Sequence, residues 1–324
     1  MEGTPISKLP SEIVNLFNLK YLNLRATLLK KLPNSIGRLL NLQILDIVDT
    51  QIETLPRGIG KLQNLRHLII YRYTRNGNDF RFSIGMQTPS NIAQLKNLQV
   101  MCSIETNNDL IRKIQCMSQL TTIGISNVKA AYEIDLCIAI QNMRHLRGLS
   151  IRVHNEEETL QVDALSSPPP NLQKIILAGK LEKVPQWFHS LQSLTFLELH
   201  WSRLEDDLLP HIATLPNLGP LSLINAYVGN RLCFSTGFPK LTNLRIRNFP
   251  QLNDIIIEKG VMPSMQSLWI YRCMELKTVP KGIEYLNLQE LLSRFVSMEL
   301  NNRIAGEGSV DFPKVQHIPK IYLQ

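Results

Sequence analysis

The fold class this sequence predicts is an α/β solenoid of about twelve coils, a curved horseshoe around a parallel inner sheet. Three observations predict it. A 23-residue pattern is written three times between Met1 and Arg72, with Thr4, Thr27 and Thr50 in register, then Pro10, Pro33 and Pro56, and Ile13, Ile36 and Ile59. The apolar motif LxxLxL then recurs along the whole chain, its first position falling at Leu19, Leu42, Leu65, Leu98, Leu120, Leu146, Leu172, Leu194, Leu218, Leu241, Met265 and Leu288. The gaps are 23, 23, 33, 22, 26, 26, 22, 24, 23, 24 and 23 residues. Finally, each motif has period two while the PxxIxxLxxL segment before it, as in Pro33 to Leu42, has three-to-four spacing. The first is strand-like and the second helical.

A period of 20–29 residues carrying LxxLxL is the leucine-rich-repeat signature. In each coil the marker opens a short strand whose alternate side chains, such as Leu22 and Leu24, point inward. The following segment crosses to the outer side as a short helix or helical turn. One coil buries roughly six aliphatic side chains at about 1.5–3 kcal/mol each. Ordering its backbone costs about 1–2 kcal/mol per residue. A lone coil therefore does not fold; neighbours must cover both of its faces.

In chain order, Met1 falls where Leu24 and Ile47 fall, so the chain starts inside a coil. Either more sequence precedes it or that first coil exposes its apolar flank. The 33-residue gap holds Tyr71 to Pro89, rich in turn formers and carrying Arg72, Arg75 and Arg81, and reads as a loop leaving the solenoid. Arg152 to Pro170 pairs Glu156, Glu157 and Glu158 with Pro168, Pro169 and Pro170. Proline forbids helix and ladder bonding, so this is a bent connection between two halves of the array. After Glu299 the repeat fades. The expected organisation is a solenoid over 1–299, with irregular loops near 71–90 and 152–170, and a tail over 300–324 whose Val315, Ile318 and Ile321 cap the last coil.

Composition limits what the chain does. Lys+Arg number 35 against Asp+Glu 27, and this +8 is scattered, so a solvated basic surface fits better than a nucleic-acid face. No apolar run reaches membrane-spanning length. The start has neither a charged nor an apolar signal region. The five cysteines are odd in number and lack CxxC pairing, and none of the 25 asparagines lies in an N-x-S/T site. Reduced thiols in a cytoplasmic protein are the expectation.

Several stretches resemble one family in particular. LPSEIVNLFNLKYLNLR, LPNSIGRLLNLQILDIVDTQIETLP and, later, SSPPPNLQKIILAGKLEKVPQWFHSLQSL, FPKLTNLRIRNFPQL and MPSMQSLWIYRCMELKTVPKGI are similar to the repeats of plant intracellular disease-resistance proteins. These are the coiled-coil, nucleotide-binding, leucine-rich-repeat (NLR) immune receptors, and FPKVQHIPKIY resembles their usual ending. The resemblance implies a non-catalytic module for effector sensing and autoinhibition in the plant defence response. Its partners would be a pathogen effector, a guarded host protein or the family's own nucleotide-binding domain. The chain departs from the family in having no G-x-x-x-x-G-K-S/T, so a nucleotide cofactor is not expected.

Residues between the strand leucines point out of the concave face. The candidate partner-binding set is Phe196, Glu198, His200, Arg245, Arg247, Trp269 and Tyr271, with Trp201 one step past its strand. Arg, Trp and Tyr anchor interfaces because they cover much area for little entropy. The competing reading is that Trp269 and Tyr271 stack on neighbouring coils as ladder contacts and touch no partner. The early face (Tyr21, Asn23, Arg25, Asp46, His67, Ile69, Tyr71) is more mixed. In the middle, Thr122, Gly124, Ser126, Gly148 and Ser150 imply a close backbone approach or a weak site. Seven histidines offer no paired spacing, Cys102 has no histidine partner, and no serine has a nucleophile elbow, so neither metal nor catalysis is expected. The alternatives are an intracellular signalling scaffold of the same fold and the substrate-recognition part of a ubiquitin ligase.

Overall fold

The computed structural model describes residues 2–73, 80 and 83–323. The chain divides into two compact units, Met1–Leu172 and Gln173–Gln324, just after the proline run 168–170.

In the first unit the strands are β1 (Tyr21–Asn23), β2 (Ile44–Asp46), β3 (His67–Ile69), β4 (Arg72–Tyr73), β5 (Ser83–Ile84), β6 (Met86–Gln87), β7 (Val100–Glu105), β8 (Thr122–Val128) and β9 (Gly148–Val153). β1, β2, β3, β7, β8 and β9 join side by side in that order, all parallel. In the second unit come β10 (Lys174–Ala178), β11 (Phe196–His200), β12 (Pro220–Ile224), β13 (Arg231–Phe234), β14 (Asn243–Arg247), β15 (Asp254–Ile257), β16 (Ser267–Tyr271), β17 (Glu290–Arg294) and β18 (Lys320–Leu323). Here β10, β11, β12, β14, β16, β17 and β18 form the parallel sheet, while β13 and β15 pair apart.

Every predicted marker lies two residues before the strand of its coil. Eleven of the twelve are no more than 1% exposed, from Leu42 to Leu288, and Leu19 of the first coil is half-buried. Backbone relays run from coil to coil: the Thr195 N–H donates to the Gln173 carbonyl at 2.8 Å, Gly219 to Thr195 at 3.0 Å, Thr242 to Gly219 at 3.1 Å and Gln266 to Thr242 at 2.8 Å. Asparagine side chains add a second ladder on the turns. Asn41, Asn64 and Asn97 each donate to a carbonyl of the preceding coil, at Phe17, Leu40 and Gln63. Those carbonyls face no backbone donor at a tight turn, so the amide satisfies what the fold leaves open.

The crossing segments are mostly 3-10 turns of five residues, Ser11–Asn15, Asn34–Arg38, Arg57–Lys61, Ser90–Gln94 and Gln186–Ser190, each preceded by a proline in extended geometry. Too few residues separate proline from marker for an α-helix, and the tighter coil closes the gap. Crossings without a proline at that position form α-helices: α1 (Asn108–Ile114), α2 (Glu133–Asn142) and the short α3 (Leu209–Ile212).

Two expectations change. The insertion after Tyr71 is tied down where it is described. β4 and β5 pair antiparallel, β6 runs beside β7, and the buried Phe80 accepts a hydrogen bond at its carbonyl from Arg152 Nη1 at 3.1 Å. A single aromatic with somewhere to go outweighs the turn-forming composition around it. Of the arginines expected there, Arg72 pairs with Glu53 at 3.4 Å, while Arg75 and Arg81 lie outside the described residues, as does Met1. The tail, for its part, does more than lie over the last coil. α4 (Met298–Ile304), α5 (Phe312–Val315) and β18 build a further coil, with β18 parallel to β17 and Val315 and Ile318 buried. Asp311 closes it, holding Arg303 and, at 2.8 Å, Lys314.

Candidate recognition face

Parallel register in the second unit places the residues between the core leucines in three rows. One row runs Ile176, Glu198, Ser222, Arg245, Trp269, Leu292 and Tyr322; the next runs Ala178, His200, Ile224, Arg247, Tyr271 and Arg294. A third begins Lys174 and Phe196 and resumes with Pro220, Asn243, Ser267, Glu290 and Lys320.

Within these rows a cation lies over the aromatic ring of the next strand. Arg245 stands 4.5 Å over Trp269, Arg247 4.9 Å over Tyr271, and Lys174 4.8 Å over Phe196. Arg272 adds a second cation 5.4 Å from Tyr271, and Phe295 meets that ring edge-on at 5.1 Å. The ring's negative face attracts the guanidinium, and the stack holds each arginine flat. Trp269 and Tyr271 thus do stack on neighbouring coils, yet they stay half-buried, and Arg245 is exposed. Ladder contact and solvent access coexist here.

Beside the first stack lies a hollow of about 230 Å³ walled by Phe196, Pro220, Ser222, Asn243, Arg245 and Trp269. Two of its polar atoms are buried and have no hydrogen-bond partner among the described residues, Trp269 Nε1 and Ser222 Oγ. Arg294 Nε, in the adjoining row, is the same. An unpaired buried polar group costs about 1–3 kcal/mol. A larger hollow, about 970 Å³, is elsewhere, on the loops of the first unit among Lys30, Lys31, Asp49, Glu53 and Arg72. Among the described residues it has no aromatic wall, and its arginine is already paired with Glu53.

Of the eight expected residues, Phe196, Glu198, Arg245, Arg247, Trp269 and Tyr271 share this face and remain at least partly accessible. His200 and Trp201 do not present themselves. They are 3% and 8% exposed, and their rings pack edge to face at 5.0 Å. His200 keeps its place in the second row but is covered by the Trp201 ring, while for Trp201 the reason is backbone. In five coils the residue after the strand is left-handed: Trp201, Asn225, Asn248, Arg272 and Phe295. Alternation ends there, and a side chain on that turn no longer follows the strand's two-residue rule. Lys174, Ser222, Arg272 and Arg294 belong to the face although sequence reasoning omitted them. For Lys174 alone the signal was available, as a cation 22 positions before Phe196, which is one coil.

The first unit's face differs. Arg25 pairs with Asp46 at 3.3 Å, Asn23 donates to Glu2 at 2.8 Å, and Tyr21 is exposed without such a stack. In its middle, a Cβ on Gly124 would sit 2.6 Å from the Ser103 nitrogen, so the small residues there serve a close backbone approach. Burial pushes the Cys137 and Cys273 thiols up to about 11, which keeps them protonated and inert.

A model of a leucine-rich repeat region matches residues 6–311. Disease resistance protein RPM1 of Arabidopsis thaliana is 43% identical over 258 residues, 79% of this chain and 28% of that protein. Disease resistance RPP8-like protein 3, from the same plant, is 27% identical over 241 residues, 72% of this chain and 26% of its own length. The chain therefore spans about a quarter of each. Among solved structures, the functional domain of InlJ from Listeria monocytogenes aligns with a TM-score of 0.59 at 14% identity, over 100% of this chain and 62% of that one. That likeness speaks to fold alone.

Proposed function

Since the chain belongs to the leucine-rich repeat region family, we propose that it is a non-catalytic protein-recognition module of a plant defence protein, working in the cytoplasm. Its partner would be a pathogen effector, a guarded host protein or the nucleotide-binding domain of its own kind of protein. The single observation that carries the site assignment is the row of cations stacked on aromatics across β10 to β16, next to buried donors that lack acceptors. Lys174, Arg245, Arg247 and Arg294 outnumber Glu198 and Glu290 on this stretch, which suits a partner surface bearing carboxylates. Arg245 and Trp269 serve as anchors, Arg247 and Tyr271 extend the contact, Phe196 walls the hollow, and Glu198 stands next to Ser222 in its row.

Immobilised nucleotide-binding domain from an RPM1-like relative is the first bait. The full chain should be retained, and an Arg247→Ala/Trp269→Ala variant with unchanged circular dichroism should not. Equal retention of both, or constitutive capture of small GTPases and phosphatases in place of the bait, would move the assignment to another face or to a scaffold.

A further inference from the structure

His189 ends the turn Gln186–Ser190, and His211 lies in α3 of the next coil. Trp187, Phe188, Leu209 and Ile212 are buried, so both backbones are pinned while the imidazoles remain accessible. His211 Nδ1 stands 3.3 Å from His189 Nε2, and the ring centroids are 5.3 Å apart.

From this geometry we propose that His189 and His211 form a zinc-binding site on the helical side of the second unit, separate from the recognition face. Two nitrogens at about 2.0–2.1 Å from one tetrahedral ion are about 3.3 Å apart. With about 1.2 Å from ring centre to nitrogen, imidazoles aimed at that ion have centroids about 5.3 Å apart, whereas a head-on hydrogen bond would set them about 5.7 Å apart. Both measured distances fit rings converging on a shared point. A square-planar or octahedral ion, with cis ligands at 90°, needs nitrogens about 2.9 Å apart, closer than these stand. Hard ions such as magnesium and calcium prefer oxygen. Among the described residues no cluster of three or more His, Cys, Asp or Glu side chains is placed to hold a metal, so the chain would supply these two ligands, and an ion held here would take its other two from solvent. The pair is invisible as a sequence motif because its spacing of 22 residues is one coil, and only stacking makes the two side chains neighbours.

The test uses the full chain with Cys116→Ser throughout, which removes the exposed thiol as a competing zinc ligand. Titration with zinc chloride in a calorimeter should show one equivalent bound. His189→Gln and His211→Gln should each weaken it by at least about tenfold, since loss of a ligand exceeds loss of a mere supporting group. Cobalt, as a coloured substitute, should give the intense visible band of a tetrahedral ion in the parent and lose it in both variants. Metal-free melting curves matching the parent's would show that the variants fold. No zinc uptake by the parent, or equal affinity in folded His189→Gln, overturns the proposal.

Discussion

Arg245→Ala should cost the chain little and a partner much. The guanidinium is exposed, so removing it opens no cavity, and only the stack on Trp269 at 4.5 Å is lost. A stack of that exposure is worth about 0.5–1 kcal/mol. In a protein of this size that moves the melting temperature by about 1–4 °C. At a partner interface an arginine anchor beside tryptophan is worth about 2 kcal/mol or more, or roughly 30-fold in dissociation constant. The assay is a pair of double-mutant cycles with Trp269→Ala, one read by urea unfolding and one by affinity for the bait. Coupling in stability should stay near 0.5–1 kcal/mol, and coupling in binding should exceed it. If Arg245→Ala destabilises by more than about 2 kcal/mol while affinity holds, the stack is a strut of the solenoid and the binding argument fails.

Three further outcomes follow from other parts of the structure. At Asp311 burial favours the neutral form, but hydrogen bonds from Arg303 and Lys314 win and hold the carboxyl below its ordinary value. A depressed folded pKa means stability that is present above the unfolded carboxylate range and lost as pH falls through the folded value; Asp311→Asn should lower the melting temperature at neutral pH and flatten its fall under acid. Gly282 has φ +84° and a Cβ there would meet the Ile257 carbonyl oxygen, so Gly282→Ala should cost more than about 2 kcal/mol in urea unfolding, and a neutral result would refute the close approach. ATP at roughly millimolar concentration should leave the melting temperature unchanged, because the chain lacks the glycine-rich lysine loop that cradles phosphates; a clear rise would reveal a site not described above.

The fold was legible because burial leaves a periodic trace. Leu42 through Leu288 mark their coils correctly since each must sit between two others, and no local preference overrides that. What escaped notice was the non-periodic part. Phe80 anchors an insertion whose composition says loop, and Ser309 to Val315 builds a coil from a tail with weak leucine spacing. The candidate face was half legible. Strand alternation placed Arg245, Arg247, Trp269 and Tyr271, but it failed at Trp201, where a left-handed turn changes the direction of the chain and lays the indole over His200. Contacts between coils, such as Lys174 on Phe196 or His189 against His211, require knowing which residue one turn later lands alongside.

The backbone relays between coils have a consequence for how such a chain changes over generations. Because the Gly219-to-Thr195 joint and the Thr242-to-Gly219 joint are interchangeable in kind, one entire turn can be duplicated or excised and the flanking turns still mate. Loss of half a turn strands donors opposite nothing. An array can therefore change length by whole turns, and each added turn would slide one set of face residues past another, giving a new surface on the same fold.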